Sequence, residues 1–297
     1  MLRRAILVLL VLGLIGLAAF WVITRPTQLT PDAIAGLTPD PVRGEYVFRA
    51  AGCASCHAAK DATGADLLKL GGGKAFPSEF GTFYAPNISP DPVHGIGNWT
   101  AIDLVNALQN GVGPDGTHLY PALPYGAYAK MTLQDVVSLR AYLATLPAVD
   151  TPSKPQDVSF PFSIRRALGG WKFLFLQRDF VIQDVPPEAE TGRYIAEALA
   201  HCGECHTARN ALGGLKTGQW LGGAPNPTGK GTIPNITPGK LDWSEADLVT
   251  FFQSGFTPEF DTAGGTMAEV VENLSTLPEA DLVSLARYLK SVPAVTD

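Results

Sequence analysis

A chain of 297 residues is long enough for about two domains, and its 46% hydrophobic content suits ordinary packed cores. The formal net charge of -6 gives no basic excess of the kind that nucleic-acid binding draws on, so no nucleic-acid partner is expected. Four cysteines, five histidines and three methionines are few enough to be followed one by one.

The chain opens with Arg3 and Arg4, then runs through 19 uncharged residues, 5–23, to Thr24, Arg25 and Pro26. That run is long enough to cross a bilayer at about 1.5 Å per residue. A secretory signal has a similar layout but a shorter apolar core, and Trp21 stands where an interfacial aromatic belongs. Residues 1–25 are therefore expected to be a membrane anchor. A cleaved signal, with Gly16 or Ala18 near the cut, is the alternative. In both cases Arg3 and Arg4 stay inside and the remainder crosses.

A helical pattern with Tyr46, Val47 and Ala50 leads into Cys53-Ala-Ser-Cys56-His57. This is C-x-x-C-H, the attachment signature of a c-type haem. Two thiols set on one helical turn reach the two vinyl groups of a porphyrin, and the next residue offers its imidazole to the iron. The same signature returns as Cys202-Gly-Glu-Cys205-His206, so the four cysteines are all used. A four-cysteine zinc site has no need of a histidine after each pair, and a thioredoxin-like pair belongs in a βαβ pattern that is not seen. Two covalently attached haem c groups are expected, held by Cys53, Cys56, Cys202 and Cys205, with His57 and His206 on the irons.

The chain repeats itself between these motifs. Arg43-Gly44-Glu45-Tyr46 is answered by Thr191-Gly192-Arg193-Tyr194, and Pro86-Asn87-Ile88 by Pro234-Asn235-Ile236. Asp135-Val136-Val137-Ser138-Leu139 is answered by Asp281-Leu282-Val283-Ser284-Leu285, and both copies close on Pro-Ala-Val. Each copy reads as helices joined by long loops. The middle helices start on a capping pattern, Thr100 with Asp103 and Ser244 with Asp247, and stop at Gly111 and Gly255, suited to left-handed caps. The last helices end before Pro147 and Pro293. No run of alternating strand residues stands out. Gly-rich and Pro-rich loops at 71–73 and 222–227 lie where a haem edge needs covering. The expected class is all-α: a transmembrane helix (1–25), a first cytochrome domain (40–150), a strap (151–190) and a second cytochrome domain (191–297). The strap holds Trp171, Phe173, Phe175 and Phe180 among basic residues and is too short and too charged for a second span. It reads as packing across the domains, with docking to a partner or to lipid as the lesser alternative.

Beyond Met1, one methionine falls in each copy. Met267 follows Gly264-Gly265-Thr266 ahead of the last helix and is the candidate sixth ligand of the second iron. Met131 is the candidate for the first, although it lies 4 residues before Asp135 whereas Met267 lies 14 before Asp281. The equivalent place falls near Pro121, so His118 is a rival, and an open site is a third possibility. His94 and His201 read as surface or packing residues. Tyr84, Tyr120, Trp99 and Trp243 are candidates to pack on haem, with plain core the competing reading.

With these motifs in hand, the chain resembles the membrane-anchored dihaem members of the cytochrome c subunits that accompany periplasmic alcohol, aldehyde and gluconate dehydrogenases. The carriers are both C-x-x-C-H motifs, both Pro-Asn-Ile segments, Tyr120-Pro121-Ala122-Leu123-Pro124-Tyr125 and Met267-Ala268-Glu269-Val270-Val271. In that family some members carry methionine after a following lysine, as in Ala129-Lys130-Met131-Thr132, which the resemblance takes as support for Met131 over His118. The third C-x-x-C-H of trihaem members is missing from this sequence. The resemblance implies an electron relay at the periplasmic face of a bacterial inner membrane. It would run from a dehydrogenase or quinol-oxidising donor to a soluble cytochrome or terminal oxidase. An enzyme in its own right, peroxidase-like or thiosulfate-dehydrogenase-like, is the alternative if the first iron is open. A fifth cysteine, which the latter kind places on its catalytic iron, is not in the sequence.

Overall fold

The computed structural model describes residues 1–226 and 231–296; Pro227, at the end of the second Gly/Pro loop, lies outside them. The first element, α1 (Leu2–Ile23), is a 22-residue helix with no buried residue. It is about 33 Å long at 1.5 Å per residue, enough for a hydrocarbon core.

The first repeat begins with α2 (Pro41–Ala50), whose N-terminus is closed by Asp40 accepting from the amides of Val42 and Arg43. The first haem motif forms the short helix α3 (Cys53–His57). A hairpin of β1 (Ala75–Ser78) and β2 (Gly81–Tyr84) follows, with Phe76 opposite Phe83. Then come α4 (Ala101–Asn110), α5 (Tyr125–Tyr128) and α6 (Leu133–Leu143). Both sides of the Thr100–Asp103 capping box are made, and Gly111 closes α4 at φ 57°.

The strap adds β3 (Asp157–Val158) to the hairpin, with Thr82 opposite Asp157, and then forms α7 (Ala167–Phe175). The second repeat runs through α8 (Glu190–Tyr194), α9 (Gly203–His206), the strand pair β4 (Ala224–Pro225) and β5 (Thr232–Ile233), and α10 (Glu245–Ser254). It closes with α11 (Thr266–Leu274) and α12 (Glu279–Ser291). Ser244 and Asp247 make the second capping box, and Gly255 closes α10 at φ 77°.

The fold is thus mostly helical rather than wholly so. Its strands are two to four residues long, too short for a period-2 pattern to register in sequence. They occupy the loops beside each haem motif.

In both repeats the first helix lies directly on the last. A Cβ on Gly44 would meet the Ser138 carbonyl oxygen at 2.1 Å, and one on Gly192 would meet that of Ser284 at 2.0 Å. Only glycine permits this approach at either place. One apolar cluster runs through both repeats, joining Val47, Leu139 and Met131 to Leu199, Leu285 and Tyr288.

One element departs from the repeat. Cys53 lies seven residues beyond Tyr46, but Cys202 lies eight beyond Tyr194. The extra residue is absorbed as a π-helical turn, 195–199, continuing α8. Such single-turn bulges are the usual way a helix accommodates one inserted residue.

Candidate haem-binding sites

The two histidines of the C-x-x-C-H motifs are held identically. The Pro86 carbonyl oxygen lies 2.8 Å from His57 Nδ1, and the Pro234 carbonyl oxygen lies 2.8 Å from His206 Nδ1. With Nδ1 the donor to a carbonyl, Nε2 is left as the metal-binding nitrogen, the second-shell device that fixes tautomer and ring orientation in histidine ligands. Burial holds both imidazoles below their ordinary pKa, so both are neutral and able to ligate.

The Pro-Asn-Ile segments make this arrangement rigid. Asn87 donates its amide to the Val149 carbonyl at 2.7 Å, and Asn235 to the Val295 carbonyl at 2.7 Å. The closing Pro-Ala-Val of each repeat is therefore the tether of the loop that orients each histidine. The loop is also bound to the motif itself. Gly72 donates to the His57 carbonyl and Gly223 to that of His206, both at 2.8 Å.

None of the four cysteines is held in a disulfide. A side chain of the second repeat reaches the first motif, Asn273 donating to Ser55 Oγ at 2.8 Å. Among the described residues no group of three or more His, Cys, Asp or Glu side chains converges on a point, so the cysteine pairs do not assemble a zinc site. Two separate pairs, each followed by a histidine with Nδ1 engaged and Nε2 left to ligate, fit haem attachment.

The methionines differ in setting. Met131 is 4% exposed, packed in the common core, and its carbonyl accepts from Gln109 at 2.7 Å. It sits immediately before the N-cap Thr132 of α6. Met267 is half-buried in the first turn of α11. The rival His118 is turned elsewhere. It is 3% exposed, and its Nε2 bonds the Thr24 carbonyl oxygen at the end of α1 at 2.8 Å. His94 is a surface residue paired with Asp150 at 3.4 Å.

Each aromatic candidate has neighbours within the protein. Tyr120 lies against Phe83 with centroids 5.2 Å apart and under the Arg165 guanidinium. Lys154 stands over Tyr84. The carbonyls of Trp99 and Trp243 each receive a cation from the last helix of their repeat, Arg140 and Lys290, both at 2.9 Å.

The cytochrome c family model matches residues 41–147. A diheme cytochrome c-type protein of Cereibacter sphaeroides is 52% identical over 295 residues, covering 99% of both chains. The chain belongs to the dihaem c-type cytochromes. It carries two covalently bound haem c groups. This cytochrome is also 41% identical to the fructose dehydrogenase cytochrome subunit of Gluconobacter japonicus, over 91% of its own length and 56% of that protein. The cytochrome c subunit of a Gluconobacter oxydans alcohol dehydrogenase (quinone) is 37% identical, over 86% and 55% respectively. The cytochrome thus spans about half the length of these dehydrogenase subunits. The relationship implies electron transfer.

Two residues of the cytochrome escaped sequence reasoning. Glu197, 1% exposed, lies in the π-turn and accepts from the amides of Val181 and Ile182 and from the Tyr288 hydroxyl. Trp220 donates to that hydroxyl at 2.9 Å. His201, expected as a surface or packing residue, packs against the other repeat. Its ring is edge-on to Tyr128, centroids 5.8 Å apart, and it has φ 43°. The available signal was positional: His201 precedes Cys202 as Gly52, φ 61°, precedes Cys53.

Proposed function

We propose that the cytochrome is a membrane-attached two-centre electron relay built from tandem domains at 40–150 and 191–297, joined by the strap 151–190. In this reading Cys53 and Cys56 hold one haem, and Cys202 and Cys205 hold the other. His57 with Met131, and His206 with Met267, ligate the irons. The haem irons supply the chemistry, cycling between ferric and ferrous with one electron each; a histidine–methionine pair suits electron transfer and raises the potential. Pro86 and Pro234 orient the histidines, and Asn87 and Asn235 keep those prolines in place. The observation that carries the reading is this duplicated cradle. Two equivalent histidine sites, each with Nδ1 held 2.8 Å from a proline carbonyl, lie on one chain.

Helix α1 supports an anchor in the bacterial inner membrane with the haem domains in the periplasm. Electrons would enter from a dehydrogenase or quinol-oxidising donor and leave to a soluble cytochrome or terminal oxidase. The relatives named as dehydrogenase subunits support the donor side of that reading.

The test is an absorption spectrum of the purified protein, ferric and ferrous, with and without carbon monoxide. Two haems per chain and no response to carbon monoxide are expected, because both irons carry two protein ligands. Carbon monoxide binding to half the haem would overturn the six-coordinate relay and bring forward an enzyme with an open first iron.

A further inference from the structure

The strap contains a patch that the relay does not use. Beyond Ile23, eleven large apolar side chains are exposed among the described residues, and five of them lie between 160 and 174: Phe160, Phe162, Ile164, Phe173 and Leu174. Scattered exposed apolar residues need no explanation, but a local concentration does. Phe160 and Phe173, 79% and 70% exposed, are too apolar to be left in water without reason.

The patch adjoins the exit of α1. A Cβ on Gly169 would meet the Thr24 carbonyl oxygen at 2.4 Å, so the backbones of α7 and the end of α1 touch. Arg166 donates to the Trp21 carbonyl at 2.6 Å and to Thr24 Oγ1 at 2.9 Å, and its guanidinium lies over the Trp21 ring at 4.2 Å. These bonds fix the strap to the helix end. Phe173 and Leu174 follow Gly169 and Gly170 by one helical turn and so continue the face that touches α1. The opposite face is spent on the protein. Trp171 donates to the Leu212 carbonyl, and Lys172 to those of Asn110 and Gly111.

Charge points the same way. Besides the buried Lys172, the stretch from 158 to 178 has three basic residues, Arg165, Arg166 and Arg178, and no acidic one. Aromatic and aliphatic side chains on one face, with cations around them, are what an anionic lipid interface accepts.

We propose that the strap is a second, interfacial membrane contact: Phe173 and Leu174 enter the headgroup–acyl boundary of an anionic phospholipid surface beside α1. This rests on the reading that α1 spans the membrane. Together the two contacts would fix the orientation of the haem domains above the bilayer.

The test is carbene photolabelling from within the bilayer. The full-length haem-loaded protein is reconstituted into phosphatidylglycerol–phosphatidylcholine vesicles with an apolar diazirine, then digested with trypsin and mapped by mass spectrometry. Peptide 5–43 reports α1, peptide 173–178 the strap, and peptide 241–287, with exposed Phe256 and Phe260, is the control. Labelling of 5–43 and 173–178 with 241–287 at background is expected. Labelling of 5–43 alone would overturn the interfacial strap and leave the span standing. Equal labelling of 173–178 and 241–287 would also overturn it, as contact with any exposed apolar side chain. Label in none of the three would overturn both readings. In the surface variant Phe173→Glu, label on 173–178 should fall with the haem spectrum unchanged.

Discussion

The hydroxyl of Tyr46 in the first repeat donates to the carboxylate of Asp281 in the second at 2.7 Å. The equivalent tyrosine of the second repeat, Tyr194, donates to the equivalent aspartate of the first, Asp135, at 2.6 Å. Duplication has thus made the two repeats meet through one self-complementary patch, as an isologous dimer interface does. The cross holds α2 and α8, the helices leading into the haem motifs, against the partner repeat's last helix. Lys74 with Glu269 at 2.9 Å and Asn273 with Ser55 at 2.8 Å add further ties around the motifs.

The cross should be stabilising at both ends. A hydrogen bond to a charged group contributes about 1.5–3 kcal/mol, so Tyr46→Phe and Tyr194→Phe should each lower unfolding free energy by an amount near the lower end. Asp135 keeps its two-pronged contact with Arg43 at 2.7 Å, which limits the loss in Tyr194→Phe. The double variant should separate the repeats into two denaturant transitions, read by chemical denaturation with haem absorbance and circular dichroism.

The methionines can be tested without disturbing the core. Met131→Leu and Met267→Leu conserve volume and should cost under about 1.5 kcal/mol of stability. Each should open one of the two irons. Each single variant should lose half of the weak far-red ferric band of methionine-ligated haem and bind one carbon monoxide per chain. An unchanged Met131→Leu spectrum would mean that another group ligates the first iron.

Much of this was legible in the sequence, and the reasons differ. Both haem motifs, both capping boxes and both glycine caps are local patterns, and the structure reproduces them. Tyr46 and Tyr194, and Asp135 and Asp281, were visible as repeated residues, but their pairing across 235 and 59 positions depends on how the repeats dock, which no local pattern carries. The π-turn was written as a one-residue difference in spacing. Its consequence, a buried Glu197 gathering donors from the strap and α12, needed the three-dimensional path. Met131 and Met267 do not align because Met131 follows the short α5, whereas Met267 lies in the first turn of the longer α11.

Glu197 should be among the costliest side chains to remove. Its carboxylate serves three donors in a site almost without solvent, and each buried donor left unpaired costs about 1–3 kcal/mol. Glu197→Ala should therefore lower stability by about 3 kcal/mol or more, and should loosen the strap at 181–182. Hydrogen exchange at the Val181 and Ile182 amides measures the local part, and denaturation the whole.

His118 should make stability depend on pH. Its Nδ1 is buried without a partner, and desolvation, with Lys172 and Arg166 nearby, lowers its pKa from the ordinary 6.5; the Thr24 carbonyl opposes this. The folded protein therefore holds the neutral ring. As pH falls through 6.5, the unfolded chain takes up a proton that the folded one resists, so stability drops. Above 6.5 this contribution is constant. His118→Gln keeps a side-chain amide donor for Thr24 and lacks the titration, so the acid slope of thermal stability should be shallower in that variant.

His201 tests what a left-handed residue is worth beside a haem motif. At φ 43° a histidine is strained relative to glycine by about 1–2 kcal/mol, so His201→Gly would stabilise the chain if the backbone alone mattered. The ring, however, stands against Tyr128, and Tyr128 itself reaches the Ala51 carbonyl at 3.5 Å, two residues ahead of Cys53. Losing that packing between the repeats should outweigh the relief, and His201→Gly should destabilise the folded protein on balance. Asn tolerates the left-handed region better than most residues, so His201→Asn should fall between the two. Denaturation of the three proteins side by side decides it: an order of stability with glycine above histidine would mean that the ring contributes nothing to holding the two motifs together.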